Sequence, residues 1–276
     1  MSSPAWRVAA DVDPKSLGEA RNQTQNALHW LARLANSYLA PEPEHRHVWM
    51  RYDAGRGAIV TRPFAGDVSI ELRLPTLEMQ FRENDVPVPH VLHVEGHTPA
   101  KVEAWVLVEL LHRGIDRSQF SKALPYQASN LMSGDHIEYS PDACARELHE
   151  LSRWLGNAEA VLGPLLREFA AAGEAPDREA GGLLCWPEQL HFGLLAGLEP
   201  GTSVAAKALR VGLSMGDERY EEPYFFVAVQ NGVEIEMVHP GAVLTASRII
   251  SDRLDDEGVR AILRSAVANT RRRLSN

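Results

Sequence analysis

Four side chains between Trp186 and Tyr224 could do chemistry: Glu188, His191, Asp217 and Glu222. A carboxylate beside an imidazole can hold and pass a proton near neutral pH. The same nitrogen and oxygen donors suit a divalent ion, but no metal and no cofactor is assigned to them. Trp186 and Tyr224 bracket the group as candidate ligand-binding aromatics. Trp186-Pro187-Glu188-Gln189-Leu190-His191 separates two short strand-like runs. Ser214-Met215-Gly216-Asp217 follows a third run, and Glu221-Glu222-Pro223-Tyr224 enters a fourth. If those strands are neighbours, the turns meet along one rim and the acids and the histidine converge. The competing reading is structural. Trp-Pro makes a corner, Gly-Asp a turn and Glu-Pro a strand entry, with Asp217 capping the turn backbone.

A weaker signal lies upstream. His93, Glu95 and His97 are two residues apart, so on a strand they share a face and could ligate one metal; His45 and His47 have the same spacing. Histidines near strand ends and caps are more often solvated or hydrogen-bonded, and that reading is preferred. No GxGxxG or GxxxxGK[ST] fingerprint occurs. Trp30, Trp49, Trp105 and Trp154 lie within helical or strand patterns, where core packing is the default.

Helices and strands must position these residues. Residues 1–15 read as a loose arm. Ser16 with Glu19 forms a capping-box pattern. Apolar residues from Ala27 to Leu39 then recur at helical spacing, until Pro41 and Pro43 end the helix. Val68, Ile70, Leu72 and Leu74, then Leu77, Met79 and Phe81, alternate with polar residues, which predicts a half-buried antiparallel pair. Val91 to Glu95 reads as a further strand. Thr98-Pro99 opens a helix that Gly114 ends. Residues 115–139 carry little periodicity and read as a long connection. Ser140-Pro141 opens the longest helix, whose seam runs from Leu148 to Phe169 and carries Gly163-Pro164, a predicted kink or break. A polar linker follows from Gly173 to Gly182. Leu209 to Leu213, Tyr224 to Val229 and Val233 to Met237 read as strands, Tyr224 to Val229 as a central one. Asp255 to Arg273 reads as the last helix. The order helix, strands, helix thus occurs twice. The expectation is an α+β protein of antiparallel sheets packed with helices, in two similar helix–β-meander–helix halves, 16–139 and 140–276, packed as one globular unit. An internal duplication would explain the similarity.

The opening stretch resembles a bacterial family of uncharacterised proteins. The family's pattern runs Trp-Pro-Glu, then Ser-x-Gly-Asp, then Glu-Pro-Tyr-x-x-Val. The matching residues here are Trp186, Pro187 and Glu188; Ser214, Gly216 and Asp217; and Glu222, Pro223, Tyr224 and Val227. The region around Leu124-Pro125-Tyr126 extends the resemblance upstream. The chain departs from the pattern at His191, where the family has aspartate, and at Met215, where it has proline. The resemblance implies a shared fold and brings no mechanism; the change at His191 weakens any shared carboxylate chemistry.

Composition narrows the function classes. The 276 residues are 45% hydrophobic and carry a net charge of -9. That suffices for a sizeable core and argues against a general nucleic-acid binder, whose affinity comes from basic patches. The run Arg271-Arg272-Arg273 ends a helix, where cations oppose the dipole. Two isolated cysteines, Cys144 and Cys185, read as buried hydrophobes. With no signal-peptide pattern and no long apolar run, a cytoplasmic protein without a membrane span is expected. The leading expectation is an accessory module that binds a small molecule or a protein, in an unassigned oligomeric state. The alternative is a hydrolase or isomerase using Glu188, His191, Asp217 or Glu222.

Overall fold

The computed structural model describes residues 14–173, 182–197, 207–231, 234–236 and 242–274. The expected arm falls almost wholly outside them, as does most of the linker after Gly173. The chain divides into two compact units. One comprises Lys15–Ser152 with Cys185–Leu190; the other includes Arg153–Leu184 and His191–Asn276. The class is α+β, and the strand pairings within each unit are antiparallel.

The first unit opens with α1 (Pro14–Tyr38). The helix begins before the Ser16 cap read from the sequence, with proline in a first turn that needs no N–H from it. Ala27, Leu28, Leu31, Leu34 and Ala35 bury one face completely or nearly so. A second, polar face is buried too. Gln23, Asn26 and Arg33 accept from or donate to the chain at Ser140, Asn130, Met132 and Lys122. The stretch from Lys122 to Ser140 is thereby tied to α1 by side-chain-to-backbone bonds in place of a ladder.

A five-strand meander follows: β1 (Met50–Asp53), β2 (Ala58–Val60), β3 (Val68–Arg73), β4 (Glu78–Glu83) and β5 (Val86–His93), each paired with the next. Ile70 opposes Phe81 and Leu72 opposes Met79, all fully buried. The other face departs from the half-buried expectation. Glu71, Gln80 and Arg82 are buried as well. Glu71 accepts from Arg73 at 2.5 Å and from Arg82 at 3.0 Å. Alternating polarity located the two faces correctly but could not show that the polar one is covered, because paired charges can be buried if each is satisfied. β5 starts earlier than expected and contains Pro87 and Pro89, residues tolerated in a strand that, among the described residues, pairs on one side only. Thr98 Oγ1 then accepts from Lys101 N to open α2 (Pro99–His112). Gly114, at φ 65°, closes it in the left-handed region.

The longest helix, α3 (Ala145–Ala171), follows a short 3-10 turn over Pro141–Cys144. It runs through Gly163-Pro164 without a break. The division between the units passes through it, and β6 (Leu183–Trp186) is divided likewise. The second unit holds β7 (His191–Gly197), β8 (Lys207–Ser214), β9 (Tyr224–Asn231), β10 (Glu234–Glu236), β11 (Val243–Thr245), α4 (Ala246–Ser251) and α5 (Asp256–Leu274). β9 pairs along its length with β8; β10 and β11 pair with its two ends. It is a central strand, as its unbroken apolar run implied. The sequence reading missed β11 and α4, each too short to show a period.

Candidate functional site

Register brings three of the singled-out strands together. His191 opposes Ser214, and Ser214 opposes Tyr224, so the three side chains share one face at one end of β7, β8 and β9. The next row on that face is Gly193, Gly212 and Phe226. A Cβ on Gly193 would overlap the Val211 carbonyl, and one on Gly212 would lie 2.5 Å from the Phe192 carbonyl oxygen. The strands approach so closely that only glycine fits. The Phe226 ring covers Gly212, and the His191 ring sits 4.8 Å from it, centroid to centroid.

The turn after β8 folds over this row. Asp217 Oδ1 accepts from Arg219 N and Tyr220 N, each at 2.8 Å, and Oδ2 accepts from the Tyr224 hydroxyl at 2.5 Å. Ser214 Oγ accepts from Gly216 N. Tyr220 packs on Tyr224, with ring centroids 5.0 Å apart. Burial and the Asp217 charge push the Tyr224 hydroxyl well above its ordinary range. Burial, helped by the Arg210 guanidinium and opposed by Asp217, lowers His191 to about 3. Its Nδ1 is buried without a hydrogen-bond partner. Arg210, itself buried, donates to Gln230 Oε1 at 2.8 Å. Near neutral pH the row therefore holds a neutral imidazole and a neutral phenol.

Glu222 has a different task. Its carboxylate accepts from Ser247 N at 2.7 Å and Ser247 Oγ at 2.6 Å, at the start of α4. Thr245 caps the same turn through Arg248 N. An acid there also complements the helix dipole.

Trp186 and Glu188 belong to the first unit. Trp186 is buried edge-on against Trp49, at 6.1 Å between ring centroids. Gln25 Nε2 donates to the Glu188 carbonyl at 2.9 Å, which fixes the corner after β6 to α1. The Glu188 charge raises the Tyr126 hydroxyl and the Cys185 thiol, in each case second to burial. His29 stands in the same unit, with Nδ1 3.1 Å from the Tyr126 hydroxyl, and burial lowers it to about 3.

Of the upstream histidines, His93 Nδ1 lies 3.1 Å from Glu78 and His97 Nδ1 3.0 Å from the Glu95 carbonyl. His47 bridges Glu42 N and Asn36 Oδ1. The sequence reading passed over a different trio, His90, Glu109 and His112. Glu109 occupies a buried position of α2 beside Val102, Val106 and Leu110, and an acid on an apolar stripe was a readable signal. It also passed over Gly193, Gly212 and Phe226; glycines inside strands were the available sign of a close approach.

No protein-family model, curated protein or solved structure matches the chain. Among the described residues, no helix is long and apolar enough to cross a membrane.

Proposed function

We propose that this protein acts by binding, as an accessory module for a small molecule or a protein, and not by acid–base catalysis. The observation that carries the reading is the state of the His191 row. A general base must exchange protons near the working pH and reach a substrate. His191 is buried and held neutral down to about 3. Asp217 holds two backbone N–H groups and a tyrosine, and Glu222 caps a helix. Two buried free thiols, Cys144 and Cys185, fit a cytoplasmic setting, and the net charge of -9 disfavours nucleic acid as a partner. The resemblance of the Trp186-Pro187-Glu188 stretch to an uncharacterised bacterial family is compatible with this reading and adds no reaction.

The test is a thermal-shift screen over metabolites, coupled to mass analysis of every hit. A ligand at ~100 times its dissociation constant stabilises by about 2.7 kcal/mol, enough to register. Stabilising compounds are expected back unchanged after incubation. Conversion of a hit, abolished in His191→Gln, would establish the hydrolase or isomerase alternative instead.

A further inference from the structure

We infer that His90, Glu109 and His112 form a binding site for one divalent transition-metal ion of the zinc type, tying β5 to the end of α2. The inference is independent of the binding-module reading. His90 Nδ1 lies 3.1 Å from Glu109 Oε1, and His112 Nδ1 lies 3.6 Å from the same oxygen. The three candidate ligand atoms lie within 4.8 Å of one another. Dividing that limit by the square root of three places a common point within about 2.8 Å of all three, against zinc–ligand distances of ~2.0–2.2 Å. The remaining gap is under ~1 Å. Both imidazoles can turn to close it, since their side chains are 61% and 53% exposed.

The carboxylate is the fixed member. Its side chain is only 3% exposed. Arg113 Nη1 donates to Glu109 Oε2 at 2.9 Å and to the Glu109 carbonyl. Arg113 is held in turn by Glu83 at 3.1 Å and by the Phe81 ring, 4.6 Å away. One carboxylate oxygen is thus occupied by a guanidinium, and the other faces two imidazoles. Such a second layer of contacts orients a ligand before the ion arrives. The Arg113 charge opposes a cation; Glu83 and Glu109 together outweigh it. Two imidazole nitrogens with one carboxylate oxygen favour zinc, cobalt or nickel over magnesium or calcium. Solvent completes the coordination. On binding, each imidazole presents Nδ1 and carries its proton on Nε2. The C-terminal end of α2 also favours positive charge. Joining an edge strand to a helix end is a structural use of a metal, and it requires no reaction.

The experiment is calorimetric titration of tag-free full-length protein with Zn2+ alone, repeated with Co2+ alone. One equivalent of Zn2+ per chain is expected, with a rise in Tm and a cobalt absorption spectrum of a nitrogen–oxygen site. His90→Gln/His112→Gln should abolish binding, and His93→Gln/His97→Gln should leave it intact. Absence of saturable binding by the native chain, or full binding by His90→Gln/His112→Gln, overturns the site. Should that variant fail to fold, imidazole NMR of the native chain decides. Zn2+ must shift the His90 and His112 resonances, and shifts confined to other histidines overturn the proposal.

Discussion

Asp217 does three jobs with one carboxylate and one amide. It caps two backbone N–H groups, takes the Tyr224 hydroxyl and, through its own N–H, binds the Tyr220 carbonyl. The side-chain jobs explain its type: only a short acceptor with two oxygens can close the turn and reach a buried phenol together. Asp217→Ala should therefore cost about 2 kcal/mol in urea unfolding, because charge-assisted bonds are lost and a phenol loses its acceptor. Tyr224→Phe should cost about 1 kcal/mol. The double variant should lose less than the sum by about 1 kcal/mol, as expected for residues sharing one bond. Strict additivity would mean that the pair does not interact in solution. The sequence offered this structural reading for Asp217 from the Gly-Asp turn alone. It could not tell which oxygen goes where, since that depends on Tyr224, seven residues on.

At the scale of elements, the glycine row decides how β7 and β8 meet. Gly193→Ala should destabilise by about 3 kcal/mol or more, since the new methyl meets backbone on the facing strand and cannot be accommodated by rotamer change. A loss below ~0.5 kcal/mol in chemical unfolding would mean that the strands are more widely spaced than described. Helices and strands with strong periods were legible in the sequence: α1, the seam of α3, the β3–β4 pair, the α2 cap at Thr98 and the central position of β9. Burial of polar faces was not. Gln23, Asn26 and Arg33 on α1 look like a solvated stripe, and Glu71 with Arg82 like an open sheet face. The α1 residues are held by chain far away in sequence, and Glu71 by arginines on its own strand and the next; local periodicity registers neither. Pro164 failed as a break signal because the flanking apolar seam keeps the helix packed through it.

At the scale of the molecule, both units carry a buried neutral histidine: His29 in one, His191 in the other, each lowered to about 3 chiefly by burial. His47 is lowered for the same reason. Above pH ~6.5 folded and unfolded chains hold these imidazoles equally neutral. Below it the unfolded chain takes protons that the folded one refuses, so stability falls as pH drops from ~6.5 towards 3, by roughly 1.4 kcal/mol per pH unit for each fully linked proton. Denaturant midpoints measured at about pH 7 and about pH 5 should show this loss, and His191→Phe should lessen it. A flat profile over that window would show that the imidazoles are solvated. The sequence located the candidate residues of the turns but not their state, because burial is a property of the packed units and not of residue type. The central claim, that the histidine of this stretch serves packing and not proton transfer, is tested most directly by NMR titration of the His191 imidazole nitrogens. The account expects no change of protonation from about pH 8 to about pH 5; a midpoint between about pH 6 and about pH 7.5 would contradict it.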